Sequence, residues 1–339
     1  MKLRYLLFFA VTAAFFGLCT MLSNDLLYAQ EEVKPAKVLL YSRTAGHPHG
    51  PVNANLRDGT TPAGRALNAY FKEKGKNIEV VEIKDGSVFD GDLSQYDGFV
   101  FSTVAHLLRG NDERATEANG FVPGTPMTEQ GLRNLITAIQ GGKGLVGWHN
   151  ATDTFSDIRD EEGKDIFTNL IGARFISHGP EQTATATTVS DGAIVAADGS
   201  KTGGFPFLKD VKETTVWEEW YAMKNFNKDL HVLQVQKTKN DADEFTMRGN
   251  EYQREPFPIS WIRLEGKGRV GYSAFGHSEH YFEENPSQVE RWGKAEDNLP
   301  RIADLIEWSI GRFEADTTPN IDKVTPNAGS HNDRPWREQ

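Results

Sequence analysis

Gly144-Leu145-Val146-Gly147-Trp148-His149-Asn150-Ala151-Thr152-Asp153 changes character within one residue. The first half is apolar and short, the length of a buried strand. The second half is polar and turn-prone, and begins with a histidine. The stretch reads as a compact buried strand running directly into a polar turn. In open α/β sheets, ligands gather beyond the carboxyl ends of the strands. His149 and Asp153 therefore become candidates for chemistry as soon as the flanking segments read as α/β.

The upstream segments do so. Lys37 to Ser42 reads as a strand entering a turn, Thr44-Ala45-Gly46-His47-Pro48-His49-Gly50. Thr61-Pro62 can cap and start a helix, because proline suits the first helical position. Leu67, Tyr70 and Phe71 follow at helical spacing. Asn77 to Ile83 and Tyr96 to Ser102 return to strand character. Thr125-Pro126 can open a second helix carrying Leu132, Leu135, Ile136 and Ile139 on one face, and Gly141-Gly142 stops it. This strand–helix–strand rhythm predicts a layered α/β fold with a mostly parallel sheet. Leu108 to Pro126, rich in charge, Asn, Gly and Pro, reads as a surface loop.

Downstream, a third helical stretch spans Lys164 to Ile171, and the character changes after Gly172. Thr183 to Val189 and His231 to Val235 are β-prone. Ile259 to Ile262 and Arg269 to Ser273 flank Glu265-Gly266-Lys267-Gly268 and predict a hairpin, glycine permitting positive φ at the turn. Leu299 to Ile310 closes the domain as an amphipathic helix. The expectation is a β-rich C-terminal extension, then a loose or surface-packed tail over 314–339.

Composition narrows the function. The formal net charge is -11 and the acidic excess is spread along the chain, which disfavours nonspecific binding to nucleic acid or anionic membranes. The N-terminus has a basic start, Met1-Lys2-Leu3-Arg4, an apolar run from Tyr5 to Leu22, and Ala29 before Gln30. This is the layout of a secretory signal over 1–29. A retained anchor is the alternative, since the run approaches spanning length. A lipoprotein would need Cys19, but bulky Leu18 stands where a small residue is wanted. We expect export, to the periplasm or another extracytoplasmic space, with no retained anchor. Cys19 is the sole cysteine, so a mature chain has no disulfide and no thiol nucleophile. The seven Trp and nine Tyr residues are core candidates, some of them suited to the apolar faces of sugars.

Histidines mark the turns. His47 and His49 follow the first strand, His106 the third, and His149 the Gly147-Trp148 strand. His178 stands between Ser177 and Gly179. His277 lies in Ala274-Phe275-Gly276-His277-Ser278, with His280 beyond it. Histidine transfers protons near neutrality and binds metal. The functional hypothesis is one pocket holding His49, His149, His178 and His277, with Glu218, Glu219 and Asp153 as its acids. Against it stands the reading in which each imidazole only hydrogen-bonds within its own loop. The histidines lack tight metal-motif spacing, so convergence in space decides between the two. Within Trp217-Glu218-Glu219-Trp220-Tyr221, Glu219 is the stronger pocket residue and Glu218 the more peripheral. Thr44-Ala45-Gly46 is no dinucleotide fingerprint and Gly141-Gly142-Lys143-Gly144 no Walker loop, so neither a nicotinamide nor an ATP function is supported.

These separated motifs together resemble the ThuA-like, or trehalose-utilisation, family, from Lys37 to about Phe313. Thr44 to His49 matches its Thr-Ala/Lys-Gly-Phe-x-His turn, with His47 where an aromatic often stands. Gly147 to Asp153 matches its Gly-x-His-x-Ala-x-Asp strand end. Gly172 to His178 matches Gly-x-x-Phe-x-x-His, and Glu219-Trp220-Tyr221 fits an Asp/Glu-Glu-x-Tyr region in part. Pro258 to Trp261, Gly266 to Val270 and Ala274 to His277 complete the likeness. The resemblance implies a domain over 37–313 with a flavodoxin-like sheet, related to class I glutamine amidotransferase-like domains. Those relatives carry a cysteine at the sharp strand end where this chain has Trp148-His149, so a conventional thiol amidotransferase mechanism is excluded. The resemblance also implies sugar metabolism alongside a sugar oxidoreductase, on oxidised 3-keto disaccharides or glycosides.

The resulting expectation is an exported carbohydrate-processing enzyme using a divalent metal. His149, His277, Glu219 and Asp153 are its catalytic candidates, and His49, His149, His178 and His277 its metal ligands. Elimination, hydrolysis and isomerisation all remain open. The alternatives are a noncatalytic carbohydrate-binding or scaffold protein, and an ordinary glycoside hydrolase with two opposed carboxylates.

Overall fold

A computed structural model describes residues 34–44, 49–53, 59–103, 125–155, 158–159, 165–237, 256–282, 287 and 298–332. The expected signal, His47, His106, and all of the Leu108 to Pro126 loop but Thr125 and Pro126 lie outside these residues.

The amino-terminal strands are β1 (Ala36–Tyr41), β2 (Ile78–Ile83), β3 (Gly98–Phe101) and β4 (Gly144–Trp148). The extension supplies β5 (Arg174–His178), β6 (Gln182–Thr188), β7 (Ala193–Val195), β8 (Lys201–Gly203) and β9 (Glu213–Glu218). It continues with β10 (Tyr221–Lys224), β11 (His231–Lys237), β12 (Pro258–Glu265) and β13 (Gly268–Ser273). Nine of them form one sheet in the order β2-β1-β3-β4-β13-β12-β11-β6-β9. The pairs from β2 through β4 to β13 are parallel, and those from β13 to β9 antiparallel. The parallel half has the 2-1-3-4-5 order of flavodoxin-like domains, with β13 in fifth place. β13 is thus both the last parallel strand and one arm of the β12–β13 hairpin, whose turn holds Gly266 at φ 59°.

Among the described residues, four helices cover this sheet: α1 (Pro62–Glu73), α2 (Glu129–Gln140), α3 (Ile166–Ile171) and α4 (Asn298–Ser309). Strand alternation sends side chains to opposite faces. Leu39, Tyr41, Leu145 and Tyr272 join one core with Leu132 and Leu135 of α2 and Phe167 of α3. Val38, Leu40, Val146 and Trp148 join another with Leu67 and Phe71 of α1 and Ile302 and Trp308 of α4. Each fully buried aliphatic or phenyl side chain there contributes about 1.5–3 kcal/mol.

The helix starts follow their caps. Thr61 accepts from Gly64 N at the start of α1, with proline in the first turn. α2 begins three residues later than Thr125-Pro126 predicts, because Thr128 is the cap and accepts from Gly131 N. Thr125 instead accepts from Gly86 N through its carbonyl at 2.7 Å. α3 starts behind Asp165, whose carboxylate accepts from Thr168 N, and ends at Gly172 with φ 107°. Beyond α4, Glu314 accepts from Gly204 N, and Asn320 hydrogen-bonds Val232 N at 2.7 Å and Val232 O at 3.1 Å. Among the described residues, no helix is long and apolar enough to cross a membrane.

Candidate metal centre

The centre forms where β1, β4 and β13 end at their carboxyl edge. β4 ends at Trp148, and the turn that follows packs back over Gly147. A Cβ there would stand 2.8 Å from both Ala151 Cβ and Ile171 Cδ1. The following turn puts His149 at φ 42°, a left-handed backbone conformation uncommon outside glycine. Tyr272 of β13 holds the turn: its hydroxyl donates to the His149 carbonyl at 2.6 Å and contacts Thr152 Oγ1 at 3.1 Å. The His149 ring is fixed as well. Its Nδ1 lies 2.9 Å from the Ala274 carbonyl, which can only accept, so Nδ1 carries the proton and Nε2 presents a lone pair.

His277 arrives from the loop after β13. Gly276 has φ 119°, and a Cβ on it would approach Trp148 Cδ1 to 2.9 Å. Gly276 N donates to Glu218 Oε2 at 2.9 Å. Glu218 is therefore not peripheral: it is buried at 2% exposure and ties the end of β9 to the His277 loop. Its other oxygen accepts from Glu219 N at 2.9 Å, which helps turn the Glu219 side chain inward.

Three donor atoms then meet. His149 Nε2 and His277 Nδ1 are 3.1 Å apart, and Glu219 Oε2 lies 3.3 Å from the first and 3.2 Å from the second. Around a tetrahedral ion with bonds of about 2.0–2.1 Å, ligand atoms stand about 3.3–3.4 Å apart. His49, in the segment after β1, completes the group: one ligand atom from each of His49, His149, Glu219 and His277 lies within 4.8 Å of the others. Three imidazoles and one carboxylate are a donor set suited to a divalent first-row ion such as zinc, iron or nickel, so the residues fit such a group. His49 Nδ1 contacts Asn150 Nδ2 at 3.2 Å, and Asn150 Oδ1 accepts from Ser102 Oγ at 3.1 Å. Turning that amide over would exchange the proton positions on His49.

The remaining sequence candidates take other places. His178 is outside the four-residue group but touches it, with Nδ1 3.0 Å from Glu219 Oε1 and 2.8 Å from the Gly179 carbonyl. Its side chain is 38% exposed, the most open of these histidines. Asp153 is buried beyond the ligand atoms, close enough to Tyr221 for its charge to act on the phenol. His280 is buried, and burial together with the charge of His277 lowers its pKa to about 4. Two further participants are Glu181, which the sequence analysis does not single out, and Tyr221, which enters it only within the Glu219-Trp220-Tyr221 stretch. Glu181 Oε1 lies 2.8 Å from His277 Nε2, and the Tyr221 ring packs on His149 with centroids 4.2 Å apart. Glu181 stands three residues beyond the end of the Gly172-to-His178 motif, which is the sequence signal nearest to it.

The electrostatics are those of a paired cation and anion. Burial works against charge on His277, but hydrogen bonds to Glu181 and Glu219 outweigh it and push its pKa up to about 10. Burial pushes Glu219 up, yet its contacts with the His149 and His277 rings, with charge on the latter, hold its carboxyl well below the usual carboxylate range. Burial, reinforced by Glu219, pushes the Tyr221 phenol well above its ordinary value. Glu181 and Glu219 thus favour the charged form of His277 from the two sides of its ring.

A flavodoxin-like sheet with a buried histidine–carboxylate cluster at its carboxyl edge, and no cysteine at the strand end, defines the class of protein. The ThuA (trehalose utilisation) family profile matches residues 37–290, and the chain belongs to that family. Similar solved structures include a ThuA-like protein of Parabacteroides merdae, with 14% identity over 83% of this chain and 92% of that one, at TM-score 0.53. Another, from Bacteroides uniformis, has 17% identity over 87% of this chain and 99% of that one, at TM-score 0.50. At these identities the likeness is one of fold. No curated protein matches the chain. Family membership supports a carbohydrate-related role.

Proposed function

We propose that the protein is an exported, metal-dependent enzyme that processes 3-keto glycosides or disaccharides supplied by a sugar oxidoreductase. The observation that carries this reading is the meeting of His149 Nε2, His277 Nδ1 and Glu219 Oε2, with His49, at the carboxyl edge of the parallel sheet. A carbohydrate-binding scaffold has no need of buried, tautomer-fixed imidazoles around a carboxylate.

The chemistry follows from the substrate class. A 3-keto group acidifies the neighbouring C–H, and removal of that proton places negative charge on the keto oxygen. A divalent ion held by His49, His149, Glu219 and His277 would supply the Lewis acidity that stabilises such charge. The protein's own groups orient and shuttle protons. His178 carries its proton on Nδ1, because the Gly179 carbonyl only accepts. Its Nε2 is then a lone pair on a partly exposed ring, suited to taking the C–H proton. Tyr221 covers one side of His149 and keeps water from it. Delivery of the abstracted proton from His178 to the departing glycosidic oxygen, which leaves as the aglycone alcohol, gives elimination, and its return to the former keto carbon gives isomerisation.

The test incubates metal-free and metal-restored mature protein with paired native and 3-keto glycosides and identifies the products. The reading predicts turnover of the keto member alone, restored by a divalent ion. Sugar binding without turnover of either member contradicts it, and turnover of the native glycoside supports ordinary hydrolysis instead. Export is tested separately by fractionating cells and sequencing the mature N-terminus, which is expected at Gln30.

A further inference from the structure

The His277 imidazole lies between two carboxylates, and they meet different nitrogens. Glu219 Oε2 is 3.2 Å from Nδ1, on the side where the ligand atoms converge. Glu181 Oε1 is 2.8 Å from Nε2, on the other side of the ring. Sheet register accounts for the arrangement. In the antiparallel β6–β9 pair, Gln182 stands opposite Glu218, so the next residues outward, Glu181 and Glu219, flank one another at the end of the ladder. The two acids reach a single ring from just outside the ends of β6 and β9.

A neutral imidazole that gives one lone pair to a cation keeps its proton on the other nitrogen. An ionised carboxylate can only accept a hydrogen bond. From this we infer that Glu181 is the positioning residue that fixes His277 in its Nε2–H form and so aims the Nδ1 lone pair into the metal centre. His149 is fixed by the same logic through a different acceptor, the Ala274 carbonyl, which leaves its Nε2 as the donor. The two imidazoles thus present opposite nitrogens, Nδ1 of His277 and Nε2 of His149, to one point. They are 3.1 Å apart there. The partners differ in kind. The Ala274 carbonyl is part of the backbone, whereas Glu181 is a replaceable, charged side chain at 32% exposure, so its loss is open to direct test. A carboxylate behind a ligating histidine also makes the imidazole a stronger donor. This inference rests on the metal-centre reading above.

The experiment titrates the metal-free protein with cobalt(II), following the visible absorption bands and the heat of binding. The proteins compared are the wild type, Glu181→Ala, Glu181→Gln and Glu129→Ala. Glu129 is an exposed control paired with Arg133. For Glu181→Ala the account predicts binding weaker by about 10–100-fold, with shifted cobalt bands. Glu181→Gln, whose amide oxygen still accepts from Nε2–H, is predicted to recover much of the loss and a wild-type spectrum. Glu129→Ala is expected to match the wild type. Long-range proton–nitrogen NMR of the zinc-loaded wild type provides a readout independent of how the variants fold. It should show a protonated Nε2 on the ring whose signals vanish in His277→Gln. Wild-type affinity and spectrum in a folded Glu181→Ala protein, or a protonated Nδ1 on that ring, overturns the inference while leaving the metal centre standing. Failure of the wild type to bind cobalt or zinc overturns both.

Discussion

His149 Nε2 and His277 Nδ1 stand 3.1 Å apart, although 128 residues separate them in sequence. Two uncharged imidazoles gain nothing from facing each other with lone pairs. The contact is stable when one of them carries a proton or when a cation lies between. Glu219 serves the first case in the metal-free protein and, as a further ligand, the second. Replacing either histidine by alanine removes a donor from the set. The expected outcome is loss of divalent-ion affinity beyond the 10–100-fold typical of outer partners, measured by calorimetry on protein shown to be folded.

The same relationship sets a pH dependence for the metal-free protein. The folded pKa of His277 is raised from 6.5 to about 10, so its stabilising contribution is complete below pH 6.5 and is lost as pH rises through about 10. The Glu219 carboxyl is depressed, so its contribution is present above its ordinary value of 4.5 and is lost as pH falls below it. Melting temperatures in chelator are therefore expected to decline from pH 6.5 towards pH 10, and His277→Ala to flatten that decline. Metal binding at Nδ1 displaces the same proton, so saturating metal is expected to weaken the alkaline decline, and heats of binding measured in different buffers should report proton release.

Gly147 links the fold to the site. A methyl group there would meet Ala151 Cβ and Ile171 Cδ1, both at 2.8 Å. Gly147→Ala is expected to cost about 1–3 kcal/mol in denaturant unfolding. It should also weaken metal binding, because the turn that must shift carries His149. Lost stability with unchanged affinity would show that the turn is held by Tyr272 alone.

Glu218 makes a second link. Its carboxylate accepts from Gly276 N and Glu219 N, both at 2.9 Å, in a buried setting. Glu218→Ala leaves those donors without their acceptor, at an expected cost of about 1–3 kcal/mol. Glu218→Gln, which keeps one acceptor oxygen, is expected to lose less. Urea midpoints of the two variants check the order.

The sequence made the parallel half of the fold legible because each strand there is a short apolar run ending in a polar or glycine-bearing turn, as at Trp148-His149. The histidines were legible for the same reason, since they sit at those strand ends. Glu181 was not, because its role depends on the β6–β9 register, a non-local pairing that no local pattern announces. Glu218 was misplaced because adjacent acids on a strand ordinarily face opposite sides, one of them solvent. Here β9 ends at Glu218, and the chain leaves the ladder before Glu219. The later start of α2 reflects a choice between two Thr caps that only the contact with Gly86 resolves.

The central claim is that this cluster holds a metal ion and activates the C–H bond beside a sugar ketone. The most direct measurement follows a 3-keto glycoside by NMR in deuterated water with metal-loaded protein, metal-free protein and metal-loaded His149→Ala. The account predicts deuterium entering product or recovered substrate at the carbon next to the ketone, with the metal-loaded wild type alone. Equal labelling with and without metal, or none with the loaded wild type, would contradict it.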